Sequence, residues 1–125
     1  SGQLTQFLKN DVSSYGLNST EFGVLELLWS KGEYPVQQIA KKILISSSST
    51  TYVINQLEKK GLVQRRIDAK DRRVAYISLS PSGFDLMREI FPVHVAKLDK
   101  VFGNLSEEEL QGLSSLLKKI NFDQS

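Results

Sequence analysis

Ser47-Ser48-Ser49-Thr50-Thr51-Tyr52-Val53-Ile54-Asn55-Gln56-Leu57-Glu58-Lys59-Lys60-Gly61 is the stretch that decides the fold. Its serine run alone suggests a flexible linker. The residues that follow exclude that, because Thr50, Val53, Ile54 and Leu57 recur at i, i+3, i+4 and i+7. That spacing predicts a helix over residues 47–60, with the serines as its cap and first turn and Gly61 as its left-handed stop. Ser48, Tyr52, Asn55 and Lys59 then lie on the face opposite the apolar stripe, flanked by Ser47, Ser49, Thr51 and Gln56. Glu58 is the only acid in the segment.

Beyond this helix, 62–67 and 74–79 read as two strands, since Ala75, Ile77 and Leu79 alternate with polar or amphipathic neighbours. The short basic linker between them, Asp68 to Arg73, makes a hairpin the natural connection. Before the helix, Pro35 suits the first turn of another helix, whose buried face is Val36, Ile39, Ala40 and Ile43. A turn near 44–46 joins the two. Asn18 to Glu21 is a capping-box pattern opening a helix through about Ser30, with Phe22, Leu25, Leu28 and Trp29 as its stripe. Residues 3–15 read as a first helix carrying Leu4, Phe7, Leu8, Val12 and Tyr15.

After the hairpin, Ser80-Pro81 opens a long helix. Phe84, Met87, Phe91, Val95, Leu98 and Phe102 form a seam of 3.5-residue period, and Pro92 is expected to kink or split it. Ser106 to Glu109 caps a last helix, in which Leu110, Leu113, Leu116, Leu117 and Ile120 are the residues to bury.

The order helix, helix, helix, strand, basic hairpin, strand defines a winged helix-turn-helix. The fold class expected is mostly α with a small β-hairpin wing, flanked by helical ends. In that arrangement the 47–60 helix enters the major groove of double-stranded DNA. Small hydroxyls at its start permit close approach and hydrogen bonding to bases or phosphates. Asn55 has the chemistry for a bidentate adenine contact, and Tyr52 for phosphate and a thymine methyl. Lys59 is placed for a backbone phosphate. At the hairpin tip, Lys70, Arg72 and Arg73 form a second basic signal. An arginine there can enter a narrow minor groove, and Asp71 can orient its guanidinium.

Composition agrees. The chain has 125 residues, 40% hydrophobic and 24% charged, with a net charge of +2. Between Lys41 and Arg73 nine basic residues face three acidic ones, while the remainder carries seven basic against eleven acidic. A basic middle of +6 between ends summing to −4 fits either a polyanion contact or a solvated basic face. The order of elements favours the contact.

Zero cysteines exclude disulfides and thiol chemistry within the chain, and a single histidine excludes a multi-histidine metal centre. No cofactor and no metal are expected. There is no apolar run near 18 residues, so no membrane span is expected. The start, Ser1-Gly2-Gln3, has neither a basic nor an apolar leader region, which predicts no signal peptide and a cytoplasmic protein. No nucleophile elbow, dinucleotide fingerprint or phosphate-binding loop occurs, so the chain does not read as an enzyme. The alternative is a winged-helix module that contacts protein rather than DNA. Such modules tend to lose the basic wing and expose apolar residues on the recognition helix.

Leu62-Val63-Gln64-Arg65-Arg66, then Asp71-Arg72-Arg73 followed by Val74 to Gly83, resembles the wing of the multiple antibiotic resistance regulator (MarR) family. Gln56 to Val63 is similar to the end of that family's recognition helix. The resemblance spans residues 4–120. It implies one domain over 1–125, a DNA-binding lobe at 18–80, and dimerisation helices at 3–15 and 81–121. It also implies a homodimeric bacterial repressor released by a small molecule or by oxidation. By that match Arg73 is the minor-groove arginine and Asp71 its partner, and Leu4, Phe7, Leu8, Leu110, Leu113, Leu116, Leu117 and Ile120 serve dimerisation. The first helix is shorter than the family's, and the absent cysteine separates this chain from members that sense peroxides by a thiol. Gly16 to Phe22 and Ser48 to Ile54 look most like the branch that answers quinones and phenolics. Phe7, Tyr15, Phe22 and Trp29 are then candidate walls for a small aromatic effector, or simply core. His94 reads as a structural or surface histidine.

Overall fold

A computed structural model describes residues 2–43 and 47–120, with the side chains of Leu4, Thr5, Leu8 and Ser47 left out. The turn expected near 44–46 lies outside the described residues. The elements run α1 (Gly2–Ser13), α2 (Ser19–Lys31), β1 (Tyr34–Pro35), α3 (Val36–Ile43), α4 (Ser47–Lys59), β2 (Val63–Ile67), β3 (Ala75–Leu79), α5 (Pro81–Phe102) and α6 (Glu107–Lys118). The chain divides into two compact units, with the boundary between Glu89 and Ile90 inside α5.

The first unit is built on α2, α3 and α4. In α2 the Asn18 side chain accepts from the Glu21 amide, and the Glu21 carboxylate accepts from the Asn18 amide. This reciprocal cap satisfies helix-end donors that would otherwise be orphaned. Val24, Leu25 and Leu28 on α2, Ile39 on α3, and Ile54 and Leu57 on α4 are almost wholly buried, with Ile77 of β3 and Met87 of α5. All four residues of the predicted α4 stripe are buried, Thr50 included. The stop also forms as expected. Gly61 has φ +72°, and the Leu62 amide returns to the Leu57 carbonyl.

The sheet is larger than a hairpin. It has three antiparallel strands in the order β1-β3-β2. Pro35 therefore ends a two-residue strand paired with Tyr76 and does not open α3. Proline suits that place because an edge strand need not donate from every residue. Across β2 and β3, Val63 faces Leu79 and Arg66 faces Tyr76.

The junction from sheet to α5 depends on Gly83. A Cβ there would lie 1.9 Å from the Leu62 carbonyl oxygen. The same oxygen accepts from the Ser80 amide. Ser80 Oγ caps α5 by accepting from the Gly83 amide, and it donates to the Gly61 carbonyl at 2.6 Å.

Several expectations for the ends are corrected. Tyr15 lies in the turn after α1, because the helix stops at Ser13. Helix α5 runs on through Pro92 without splitting. Its buried side is Gly83, Met87, Ile90 and His94, whereas Phe84 and Val95 of the predicted seam are exposed. In the second unit, α6 has the predicted box between Ser106 and Glu109, but it buries none of its residues. Leu110, Leu113, Leu116, Leu117 and Ile120 are all exposed. A leucine stripe records a face that wants cover, and nothing among the described residues supplies it.

Candidate nucleic-acid interface

Helix α4 has 13 residues, so it is about 20 Å long at 1.5 Å per residue. Burial of its stripe fixes the opposite side outward. Ser48, Ser49, Thr51, Tyr52, Asn55 and Lys59 are exposed and Gln56 is half-buried. The Ser47 side chain lies outside the described residues. Tyr52 is 64% exposed, the only large apolar group standing out from this helix.

Glu58 does not leave a negative charge on that face. It accepts from Arg65 of β2, which donates through Nη2 at 2.7 Å and Nε at 3.5 Å. Arg65 Nη2 also donates to Asn55 Oδ1 at 3.3 Å. Arg65 was not among the candidate residues. Its partners lie on another element, and no periodicity in the sequence joins them.

The wing turn is held by its aspartates. Asp68 accepts from the Asp71 amide, and the Asp68 amide donates to the Val74 carbonyl. Asp71 Oδ1 accepts from both the backbone amide and Nε of Arg73, at 3.1 and 3.0 Å, and Oδ2 accepts from Nη2 at 3.0 Å. The guanidinium hydrogen bonds, and then the backbone one, hold the Asp71 carboxyl below the usual carboxylate range. Arg73 remains 90% exposed. A guanidinium has five N–H donors. Two are spent on Asp71, and three still point elsewhere in a fixed plane. Lys70 and Arg72 are exposed beside it.

A second arginine sits lower on the wing. Arg66 donates to both oxygens of Glu33, at 3.0 and 2.6 Å, and lies 4.5 Å from the centre of the Tyr76 ring. Its hydrogen bonds hold the Glu33 carboxyl low. Counting Lys60 with Glu21, four of the nine cations in the basic middle are paired. Lys41, Lys42, Lys59, Lys70 and Arg72 make no ion pair among the described residues. The charge available for a polyanion thus lies on α3, α4 and the wing tip.

A cleft of about 220 Å³ opens between the start of α3 and the wing, lined by Pro35, Val36, Gln37, Arg65, Arg73, Val74 and Ala75. None of the candidate effector residues lines it. Phe22 is buried in the core, Tyr15 and Trp29 are half-buried, and Phe7 is 36% exposed. Trp29 packs against Phe84 with ring centres 4.9 Å apart. Among the described residues no cluster of three or more histidine or carboxylate side chains is placed to hold a metal ion.

A model of the MarR family matches residues 17–75, which span α2 to the start of β3. The HTH-type transcriptional regulator MhqR of Bacillus subtilis is 41% identical over 96% of this chain and 83% of its own length. The chain belongs to the MarR family. It is accordingly a winged-helix, DNA-binding transcriptional regulator and not an enzyme. Solved structures agree. AbsC, a MarR family regulator from Streptomyces coelicolor, superposes with a TM-score of 0.84 at 29% identity, over 93% of this chain and 80% of AbsC. NadR in complex with 4-hydroxyphenylacetate superposes with a TM-score of 0.81 at 25% identity, over 96% of this chain and 87% of NadR.

Proposed function

We propose that this MarR-family chain is a cytoplasmic homodimeric repressor. It binds a pseudo-palindromic operator and is released by a phenolic or quinone-like effector. The observation that carries the DNA contact is the outward face of α4, where hydroxyl, amide and ammonium groups stand together and the one carboxylate is covered by Arg65. Ser47, Ser48, Ser49, Thr51, Tyr52, Asn55, Gln56 and Lys59 form the major-groove surface, and residues 18–80 the DNA-binding lobe. Lys70, Asp71, Arg72 and Arg73 form the wing contact. Arg73 enters the minor groove in the plane Asp71 sets.

A second copy of the chain is the cover for the exposed apolar side chains of Phe7 on α1 and of Leu110, Leu113, Leu116, Leu117 and Ile120 at the C-terminal end. Leu4 and Leu8 join them as dimerisation residues by the family resemblance alone. Several large apolar side chains exposed on one helix support such an interface. The effector class is supported by similarity to NadR, solved in complex with 4-hydroxyphenylacetate, with Phe7, Tyr15, Phe22 and Trp29 as the aromatic residues proposed for that role. A protein-binding reading is disfavoured, because α4 exposes one large apolar side chain and the wing keeps its cations.

The test is selection of bound duplexes from random DNA, followed by titration at several salt concentrations. A two-fold motif with half-sites about one helical turn apart is expected. Affinity should fall with a log–log slope of about −0.9 per phosphate contacted. Salt-independent affinity, or recovery of no motif, would overturn the assignment.

A further inference from the structure

Beyond the last ladder pair of the wing, Ile67 with Ala75, residues 68–74 make its tip. Ala69, Lys70, Arg72 and Arg73 are exposed, and Asp68, Asp71 and Val74 are half-buried. With no buried side chain to pack, hydrogen bonds set the shape of the tip. Two are between backbone groups. The Asp68 amide donates to the Val74 carbonyl at 2.9 Å, and the Val74 amide to the Asp71 carbonyl at 3.0 Å. The third needs a particular side chain. Asp68 Oδ2 reaches past Ala69 and Lys70 and accepts from the Asp71 amide at 3.1 Å.

Asp71 is the residue that holds Arg73, through its backbone amide and its guanidinium together. Asp68 therefore stands one step behind the arginine. Its carboxylate fixes the peptide plane that carries Asp71, and the Asp71 carboxylate fixes the direction of Arg73. The charge of Asp68 cannot itself favour DNA, because an anion beside phosphates repels them. Whatever Asp68 adds to binding comes from the acceptor it offers.

We propose that Asp68 is a positioning residue for DNA binding, acting through Asp71 to hold Arg73 in the direction the minor groove requires. This rests on the proposed wing contact of Arg73. It assigns a part in affinity to a side chain of the wrong charge for DNA, which no count of basic residues would select.

The experiment measures, by gel shift, affinity for a duplex that the wild type selects from random DNA. The full chain is compared as wild type, D68N, D68A, R73A, D68N/R73A and D68A/R73A, each checked for folding by circular dichroism. Asparagine keeps a carbonyl oxygen for the Asp71 amide and alanine does not, while both remove the same charge. The action of that charge on Arg66 or on phosphates therefore cancels between the two. D68N should bind at least as tightly as wild type, and D68A about fivefold more weakly than D68N. In the R73A background the two should bind equally, because no guanidinium is left to position. In the free protein, NMR should show the Arg73 Nε–H exchanging with water faster in D68A than in D68N. Equal affinities for D68A and D68N, a difference that persists without Arg73, or loss of the fold in D68A would each overturn the proposal while the wing contact stands. R73A binding like wild type, or selection of no duplex, would remove the underlying DNA reading, and this proposal with it.

Discussion

Lys60 Nζ donates to both carboxylate oxygens of Glu21, at 2.9 and 2.7 Å, and to the Gly16 carbonyl at 2.9 Å. One ammonium thus ties the end of α4 to the turn between α1 and α2. Glu21 is 3% exposed, and its remaining contact is the cap it gives the Asn18 amide. Lys60→Met should leave a buried carboxylate without its cation. Removing one partner of a buried pair costs about 3–5 kcal/mol. Lys60 is 38% exposed, so water recovers part of that, and a loss of about 2 kcal/mol is expected by denaturant unfolding. A midpoint equal to wild type would show that the pair contributes nothing.

The contact between Gly83 and Leu62 predicts a larger effect from a smaller change. Gly83→Ala places a methyl group 1.9 Å from a backbone carbonyl oxygen that cannot turn aside. The first turn of α5 must move off the start of β2. Overpacking commonly costs about 1–3 kcal/mol, and a clash against backbone belongs at the upper end. Thermal melting should show a drop of several degrees or more, with Gly83→Ser at least as severe.

At the wing tip, Arg73→Ala should weaken binding to most sequences, because the cation proposed for the minor groove is lost, and the salt dependence should become shallower. Asp71→Asn tests the aiming alone, since the cation stays and one carboxylate oxygen becomes a donor. We expect roughly a tenfold loss of operator affinity for Asp71→Asn in a gel shift. Equal affinities for wild type and Asp71→Asn would mean that Asp71 does not position the arginine.

The two carboxylates that hold the wing arginines also predict a pH response. Asp71 and Glu33 are both held below the usual carboxylate range by their arginines. A depressed folded-state pKa gives stability that is present above the unfolded value and lost as pH falls through the folded one. Both ion pairs should therefore outlast the ordinary carboxylates on acidification. Carboxyl chemical shifts followed by NMR should show Asp71 and Glu33 titrating below the range of free aspartate and glutamate side chains. Titration within that ordinary range would contradict the geometry.

The exposed leucines of α6 give the last prediction. Leu116→Glu together with Leu117→Glu should convert a dimer to a folded monomer by light scattering, because neither side chain is buried within the chain. Operator affinity should fall by at least about tenfold as the second half-site is lost. An unchanged dimer would place the interface elsewhere.

Much of the first unit could be read from local patterns. The α4 stripe, the Asn18–Glu21 cap and the Gly61 stop each use residues within a few positions of one another, where helical geometry determines who meets whom. The Asp71–Arg73 pair is equally local. What escaped was set by contacts between elements. Arg65 meets Asn55 and Glu58 only because β2 returns alongside α4, and Arg66 meets Glu33 across 33 positions. Strand β1 is two residues long and includes a proline, too short for any period to declare. On α5 the buried line runs through a glycine and a histidine, which an apolar count passes over. The α6 leucines recur at helical spacing, but their expected burial is absent, because spacing marks a face without saying what covers it.

The two-residue β1 gives the wing a narrow hold on the helical part of the unit, and the Glu33–Arg66 fork beside it bears on how firmly that hold is kept. Glu33 sits in the short link after α2, far along the chain from the wing tip and outside the surface assigned to DNA. A genetic screen for loss of repression should nevertheless return lesions at Glu33, in variants that accumulate normally in the cell. Such alleles would be suppressed by charge exchange at position 66, not by changes on the recognition helix.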